Sequence, residues 1–224
     1  MGYYIDLDKI TIDEYKVKLK TAYLPPSRMM LRENPDERFG YFKSIGINNV
    51  QELLQLLKKK DRLDELSKVG CLAGDYLKIL LRELNSLLPK PNNIRDFTGI
   101  SPDTVQRLEK AGIKNTVKLY SRIVNKANRA ELAETTGIRE PEITVLTKLT
   151  DLSRIRWVGA TTAQMLHDIG FDTVKKVSEA NGEDLHEKIN RLNKERSIFK
   201  GHIGLNDIHI LIDTAKEVPF DIEY

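Results

Sequence analysis

The stretch Leu152–Val177, LSRIRWVGATTAQMLHDIGFDTVKKV, decides the fold. A basic and apolar segment runs into a turn at Val158-Gly159-Ala160. A helix follows and stops at Ile169-Gly170-Phe171, and a second, capped helix is predicted from Asp172. Glycine suits such stops because, lacking Cβ, it enters the left-handed region at little cost. Helix, tight glycine turn, helix is the unit from which the chain is built.

The unit repeats. DTVQRLEKAGI (103–113) lies over TTAQMLHDIGF (161–171) without a gap, matching Thr104 to Thr162, Gln106 to Gln164, Leu108 to Leu166 and Gly112 to Gly170. Thr-Val follows each copy, at 116–117 and 173–174. RFGYFKSIGINNV (38–50) is an earlier copy, with Phe42 four residues before Gly46 and Val50 placed as Val174 is. LSKVGCL (66–72) and LAETTGI (132–138) share a second half-unit, a glycine turn between two helices. Unrelated helices that merely end in glycine would not align without gaps, so the pattern is read as an internal repeat.

Elsewhere the helix signals are dense. Thr11 and Glu14 have capping-box spacing, and Asn34-Pro35-Asp36-Glu37 places a cap, a first-turn proline and acids in order. Asn48 or Asn49, Ser101, Asn115, Asn181 and Asn206 are the further predicted caps. Val50, Leu53, Leu54 and Leu57 share one helical face, and residues 75–88 form a long amphipathic helix. Pro89-Lys90-Pro91-Asn92-Asn93 carries no apolar anchor and reads as the boundary between an arm plus first unit (1–88) and a tandem domain (94–224). The fold class is therefore all-α. The only period-two apolar segments are Tyr3–Leu7 and Phe220–Tyr224, and two short terminal strands pairing with each other would satisfy their backbones.

At 224 residues, with 40% hydrophobic and 31% charged residues, the chain can bury a sizeable core and is not a disordered tail. The net charge of +3 does not by itself select a nucleic-acid partner. Cys71 is the only cysteine, which excludes an internal disulfide and a thiolate zinc cluster and fits a reducing compartment. No signal-peptide pattern and no apolar run of about 20 residues is present, so a cytoplasmic protein without membrane contact is expected.

RIRWVGATTAQMLHDIGFDTVKKV, LAETTGIREPEI and LHEKINRLN resemble the tandem helix-hairpin-helix (SAM-like) domains of an uncharacterised bacterial family, catalogued only as a domain of unknown function. The resemblance covers residues 94–219 well and 28–89 more loosely. It implies an all-α fold of paired helix-hairpin-helix units and no assigned activity. The wider superfamily binds nucleic-acid backbone without regard to sequence, through turns reading roughly apolar-x-Gly-apolar-Gly. Here Trp157 occupies the first glycine position before Gly159, and the turns at Gly70, Gly99 and Gly137 lack the second glycine.

No P-loop, Rossmann fingerprint or HExxH is present. His167 beside Asp168 and His186 beside Glu187 point about 100° apart on a helix, so no base–orienter pair is expected. His202 and His209 lack carboxylates at metal-ligand spacing. Neither catalysis, nor a metal, nor a cofactor is expected, and Cys71 is read as a small core residue. The positive chemistry is at Gly159. Arg154 and Arg156 precede it, Thr161 and Thr162 open its helix, and Lys175 and Lys176 could extend a phosphate contact, since a helix N-terminus offers free N–H groups and a positive dipole end. The competing reading makes Thr161 or Thr162 a simple cap and pairs the arginines with Asp151 and Asp168. The basic run Lys188, Arg191, Lys194 and Arg196 is read as a solvated face, and Trp157 as packed under the hairpin. The expected function is sequence-independent binding of nucleic acid, DNA favoured over RNA, with a protein-interaction scaffold as the alternative and an enzyme as a distant third.

Overall fold

The computed structural model describes residues 2–224, and all regular structure among them is helical. Two compact units arise, one from Gly2 and Tyr4–Leu88, the other from Tyr3 and Pro89–Tyr224. Each has its own apolar core.

The first unit contains α1 (Ile12–Thr21), α2 (Pro35–Ser44), α3 (Val50–Lys58), α4 (Lys60–Leu66) and α5 (Gly74–Ser86). The Thr11–Glu14 capping box forms as expected, each side chain closing the other's backbone N–H. Asn49 rather than Asn48 caps α3. Asn34 corrects the expectation, because it stands in the left-handed region at φ 45° and makes no side-chain cap. Phe39, Phe42, Leu53, Leu57, Tyr76 and Leu80 fill the core. Two arginines enter it with partners. Arg28 Nε lies 3.1 Å from Glu83 Oε2, and Arg38 donates to the Cys71 carbonyl at 2.9 Å with its guanidinium 3.9 Å over the Tyr76 ring. Burial, more than the neighbouring Arg38 charge can offset, raises the Tyr76 phenol to about 12.

The second unit contains α6 (Pro102–Lys110), α7 (Thr116–Tyr120), α8 (Lys126–Thr136), α9 (Glu140–Leu152), α10 (Ala160–Asp168), α11 (Val174–Ser178), α12 (Gly182–Arg196) and α13 (Leu205–Lys216). Ser101, Asn115 and Asn181 cap as their positions predict. Thr173, not Asp172, caps α11; Asp172 instead receives Lys148 and Lys176. Asn206 does not cap α13. Gly204 takes that place, and the Asp207 carboxylate reaches back to its N–H at 3.3 Å. Asn92, within the prolyl stretch, is anchored after all: its amide donates to Ser153 Oγ at 2.9 Å and to the Val158 carbonyl at 3.1 Å.

The repeat seen in the sequence is a repeat in hydrogen bonds. At the end of α2, Gly46 N–H donates to Lys43 O and Ile47 N–H to Phe42 O; at the end of α6, Gly112 donates to Glu109 O and Ile113 to Leu108 O. This is the paired closure of a Schellman end, and it requires the left-handed glycines observed, φ 87° at Gly46 and 77° at Gly112. Gly170, at φ 87°, donates to His167 O in the same way. Apolar Ile47, Ile113 and Phe171 follow the three glycines, and the next helix starts from Asn49, Asn115 or Thr173.

Terminal strands do not form. The described residues contain no sheet, only isolated bridges at Thr11–Asn49 and Asn93–Asn115. The chain ends nevertheless converge on one side chain. Arg154, its side chain fully buried, donates from Nε to the Tyr3 carbonyl at 3.3 Å and from Nη2 to the Pro219 carbonyl at 3.0 Å. Arg154 thus takes one carbonyl at each end, Tyr3 within the first segment and Pro219 just before the second, while the Glu223 N–H donates to the Val124 carbonyl at 2.9 Å.

Candidate functional site

The residues singled out by sequence separate into an inner group and an outer one. The inner group is built on Arg154. Nη1 lies 3.1 Å from Asp151 Oδ1 and Nη2 lies 2.8 Å from Asp221 Oδ1, while the guanidinium stacks 4.9 Å from the Tyr120 ring. Asp151 Oδ2 in turn accepts the Val174 backbone N–H and the Tyr224 hydroxyl, each at 2.8 Å. Burial pushes the Asp151 carboxyl upward against the pull of the Val174 N–H and Arg154. The Tyr120 phenol is raised as well, by burial and by its hydrogen bond to Asp221. Arg154 is therefore part of the fold's interior rather than an open phosphate contact. The predicted Asp151 pairing forms; the predicted partner Asp168 instead meets Arg196 and Gln164.

The outer group surrounds the start of α10. Gly159 is the N-cap, exposed, with no side-chain hydrogen bond closing the helix end. Its φ is −78°, so the turn does not need glycine for left-handed backbone, and an added Cβ would meet nothing within 4 Å. Neither Thr161 nor Thr162 caps the helix. Thr161 is exposed and Thr162 half-buried in its first turn. The left-handed residue is Trp157, at φ 67°, a conformation costing an L residue about 1–2 kcal/mol. With Arg156 and Val158 directed inward, this backbone turns the indole out, leaving it 43% exposed rather than packed under the hairpin. Arg156 is buried to within a few per cent, and its guanidinium lies 4.1 Å from the Trp157 ring centre.

Lys175 and Lys176 do not join this end. Lys176 Nζ reaches the Gly170 carbonyl at 3.4 Å, past the C-terminus of α10, and that helix of nine residues is roughly 13 Å long. It also pairs with Asp172 at 2.7 Å, and Lys175 with Glu179 at 4.0 Å. In the basic run, Lys188 pairs with Asp184 and Arg196 with Asp168. His167 Nδ1 and Asp168 Oδ1 stand 3.4 Å apart, closer than divergent helix positions suggest.

Sequence reasoning missed Gln164, whose amide sits between Asp168 and the Gly99 N–H. Its alignment with Gln106 was the available signal.

The gapless alignment gives the open helix end its meaning. Gly159 occupies the place of Ser101, whose Oγ accepts the Thr104 N–H at 3.1 Å, and Ala160 the place of Pro102, which has no N–H to satisfy. Thr104 Oγ1 further donates to Glu142 at 2.9 Å. The same helix start is closed by side chains in one copy and left open in the other.

No described helix is long and apolar enough to cross a membrane. Neither the curated proteins nor the solved structures contain a match to this chain. Residues 98–218, more than half of the sequence, match a catalogued family, and the chain belongs to it: Domain of unknown function (DUF4332).

Proposed function

We propose that this is a non-enzymatic protein of tandem helix-hairpin-helix units that binds nucleic-acid backbone without regard to sequence, through the start of α10. The helix-hairpin-helix reading is supported by the three matching junctions at Gly46, Gly112 and Gly170. The binding reading is carried by one observation, the contrast between the closed start of α6 and the open start of α10. A helix end with free N–H donors and a positive dipole accepts a phosphate oxygen where Ser101 would otherwise insert its hydroxyl. Gly159 lets a phosphate approach, and Thr161 and Thr162 add hydroxyls; Arg156, buried three residues upstream, adds its charge through space and not as a contact. Lys175 and Lys176 extend the contact only to nucleic acid long enough to follow α10. Contacts of this kind position a backbone and do not read bases.

The test is fluorescence anisotropy with single- and double-stranded DNA and RNA at several salt concentrations. Gly159→Ser restores the missing cap, so it should weaken binding while leaving the fold intact. Arg156→Ala removes a buried charge rather than a contact, so it should weaken binding less than Gly159→Ser and leave the salt slope unchanged. Wild-type affinity in Gly159→Ser would remove the α10 end from the interface.

A second reading, a protein-interaction scaffold, is favoured by the neutralised cations. Lys175, Lys176, Lys188 and Arg196 each face a carboxylate, while Trp157 stands exposed as an anchor of the kind protein interfaces use. Absence of binding to any of the four nucleic acids at low salt would select it.

A further inference from the structure

Helix α12 turns one polar row toward the segment that follows it. His186, Asn190 and Asn193 recur at helical spacing, and each meets the returning loop Ser197–Gly204. Asn193 donates to the Gly201 carbonyl at 2.8 Å and accepts the Phe199 N–H at 2.7 Å. Asn190 donates to the Ile203 carbonyl at 3.0 Å and accepts the Ile203 N–H at 2.9 Å. The backbone on both sides of His202 is therefore held by asparagine amides, and the third member of the row meets His202 itself. His186 Nε2 and His202 Nε2 stand 3.1 Å apart, their rings crossed at 82° with centres separated by 4.9 Å.

We propose that His186 and His202 form a chelating site for a late first-row divalent metal, Zn2+ in the first instance, bound through both Nε2 atoms. Two imidazoles on one Zn2+, with Zn–N of about 2.0–2.1 Å, have nitrogens separated by roughly 2.9 Å at a right angle and 3.3 Å at the tetrahedral angle. The observed separation falls inside that range without moving either residue. Neutral imidazole suits Zn2+, Cu2+ and Ni2+ and does not suit Mg2+ or Ca2+, which take oxygen donors. Among the described residues no group of three or more His, Cys, Asp or Glu converges, so the remaining coordination positions fall to water or to a ligand atom from outside. Preorganisation supplies what the small ligand count lacks, because Asn190 and Asn193 have already ordered the loop. The same two nitrogens bind protons, so affinity must fall as pH is lowered. This site rests on none of the nucleic-acid reading.

The experiment is titration of the full-length chain with ZnCl2 by calorimetry, repeated with CoCl2 while recording visible absorption. One Zn2+ per chain is expected, with cobalt bands appearing at the same stoichiometry. His202→Ala, a change at an exposed residue that should leave circular dichroism unchanged, should weaken Zn2+ binding at least tenfold, and His186→Ala equally. His167→Ala and His209→Ala should stay within twofold of wild type. Absence of stoichiometric Zn2+ binding, or retention of affinity within twofold in His202→Ala, overturns the proposal. An equal loss in His209→Ala overturns the two-ligand assignment.

Discussion

Residues 101–120 and 159–178 fold alike and are closed by different chemistry. Both run helix, left-handed glycine, short helix, with the same glycine-to-carbonyl hydrogen bond at the turn. In the first copy the Thr116 N–H, at the start of α7, donates to the Asn92 carbonyl at 2.9 Å, just as Val50 donates to Ile10 in the other unit. In the second copy the corresponding Val174 N–H donates to the Asp151 side chain. A neutral carbonyl from a flanking segment has been replaced by a buried carboxylate, and that carboxylate needs Arg154 beside it. The contrast teaches why Arg154 lies inside the molecule. It completes a junction that two other copies complete with backbone alone.

The comparison can be broken most strongly at Arg154. Arg154→Ala leaves Asp151 and Asp221 facing each other in the core and releases the Tyr3 and Pro219 carbonyls, so a loss of about 3–5 kcal/mol is expected in equilibrium denaturation. Arg28→Ala, which takes the guanidinium from the buried Glu83, should also be destabilising and shows whether this scale is general. The three glycines come next. Gly112→Ala and Gly170→Ala force an L residue to positive φ and should each cost about 1–2 kcal/mol. Gly159→Ser should do the reverse, gaining a few tenths of a kcal/mol by restoring the cap that Ser101 provides in the other copy.

Caps sharpen the comparison at smaller scale. Asn115→Ala and Thr173→Ala each remove an acceptor from the first turn of a matched short helix, and each should cost about 1 kcal/mol in thermal unfolding. A further effect concerns pH. Burial works against ionisation of Asp172, but Lys148 and Lys176 outweigh it and hold the carboxyl below its ordinary range. A lowered folded pKa stabilises above the unfolded value, near 3.9, and that contribution is lost as pH falls through the folded one. Asp172→Asn should therefore be up to about 1 kcal/mol less stable than wild type at pH 7, the gap closing at acid pH.

What could be read from sequence was what nearby residues decide. Thr11 with Glu14, Ser101, Asn115 and Asn181 act within one helical turn, and the glycines stop helices through their own backbone. Local pattern failed where a competitor stood close by. Asn34 adopts left-handed backbone itself, and Asp207 reaches Gly204 before Asn206 can act. The inner network was out of reach because its members are far apart: Asp151 closes a junction 23 residues on, and Arg154 meets Tyr3 from 151 residues away. Alternating apolar residues at the two ends signalled burial only in part: Tyr3, Leu7 and Ile222 are buried, but Tyr4, Phe220 and Tyr224 are exposed. Tyr3 and Ile222 are buried in the core while the carbonyls beside them go to arginine rather than to a strand partner. Trp157 was misplaced because its exposure follows from a backbone conformation that its residue type disfavours. His186 and His202 looked unrelated until the asparagine-held loop brought them together.

The claim that the second junction depends on a carboxylate held by a guanidinium is tested most directly by a double-mutant cycle on Asp151 and Arg154, read by denaturant unfolding. Asp151→Ala and Arg154→Ala should each be strongly destabilising, and the double variant should lose clearly less than their sum, giving a coupling of about 2–3 kcal/mol. Additive losses, with coupling below about 0.5 kcal/mol, would mean that the two side chains act independently and that the junction is closed without their pairing.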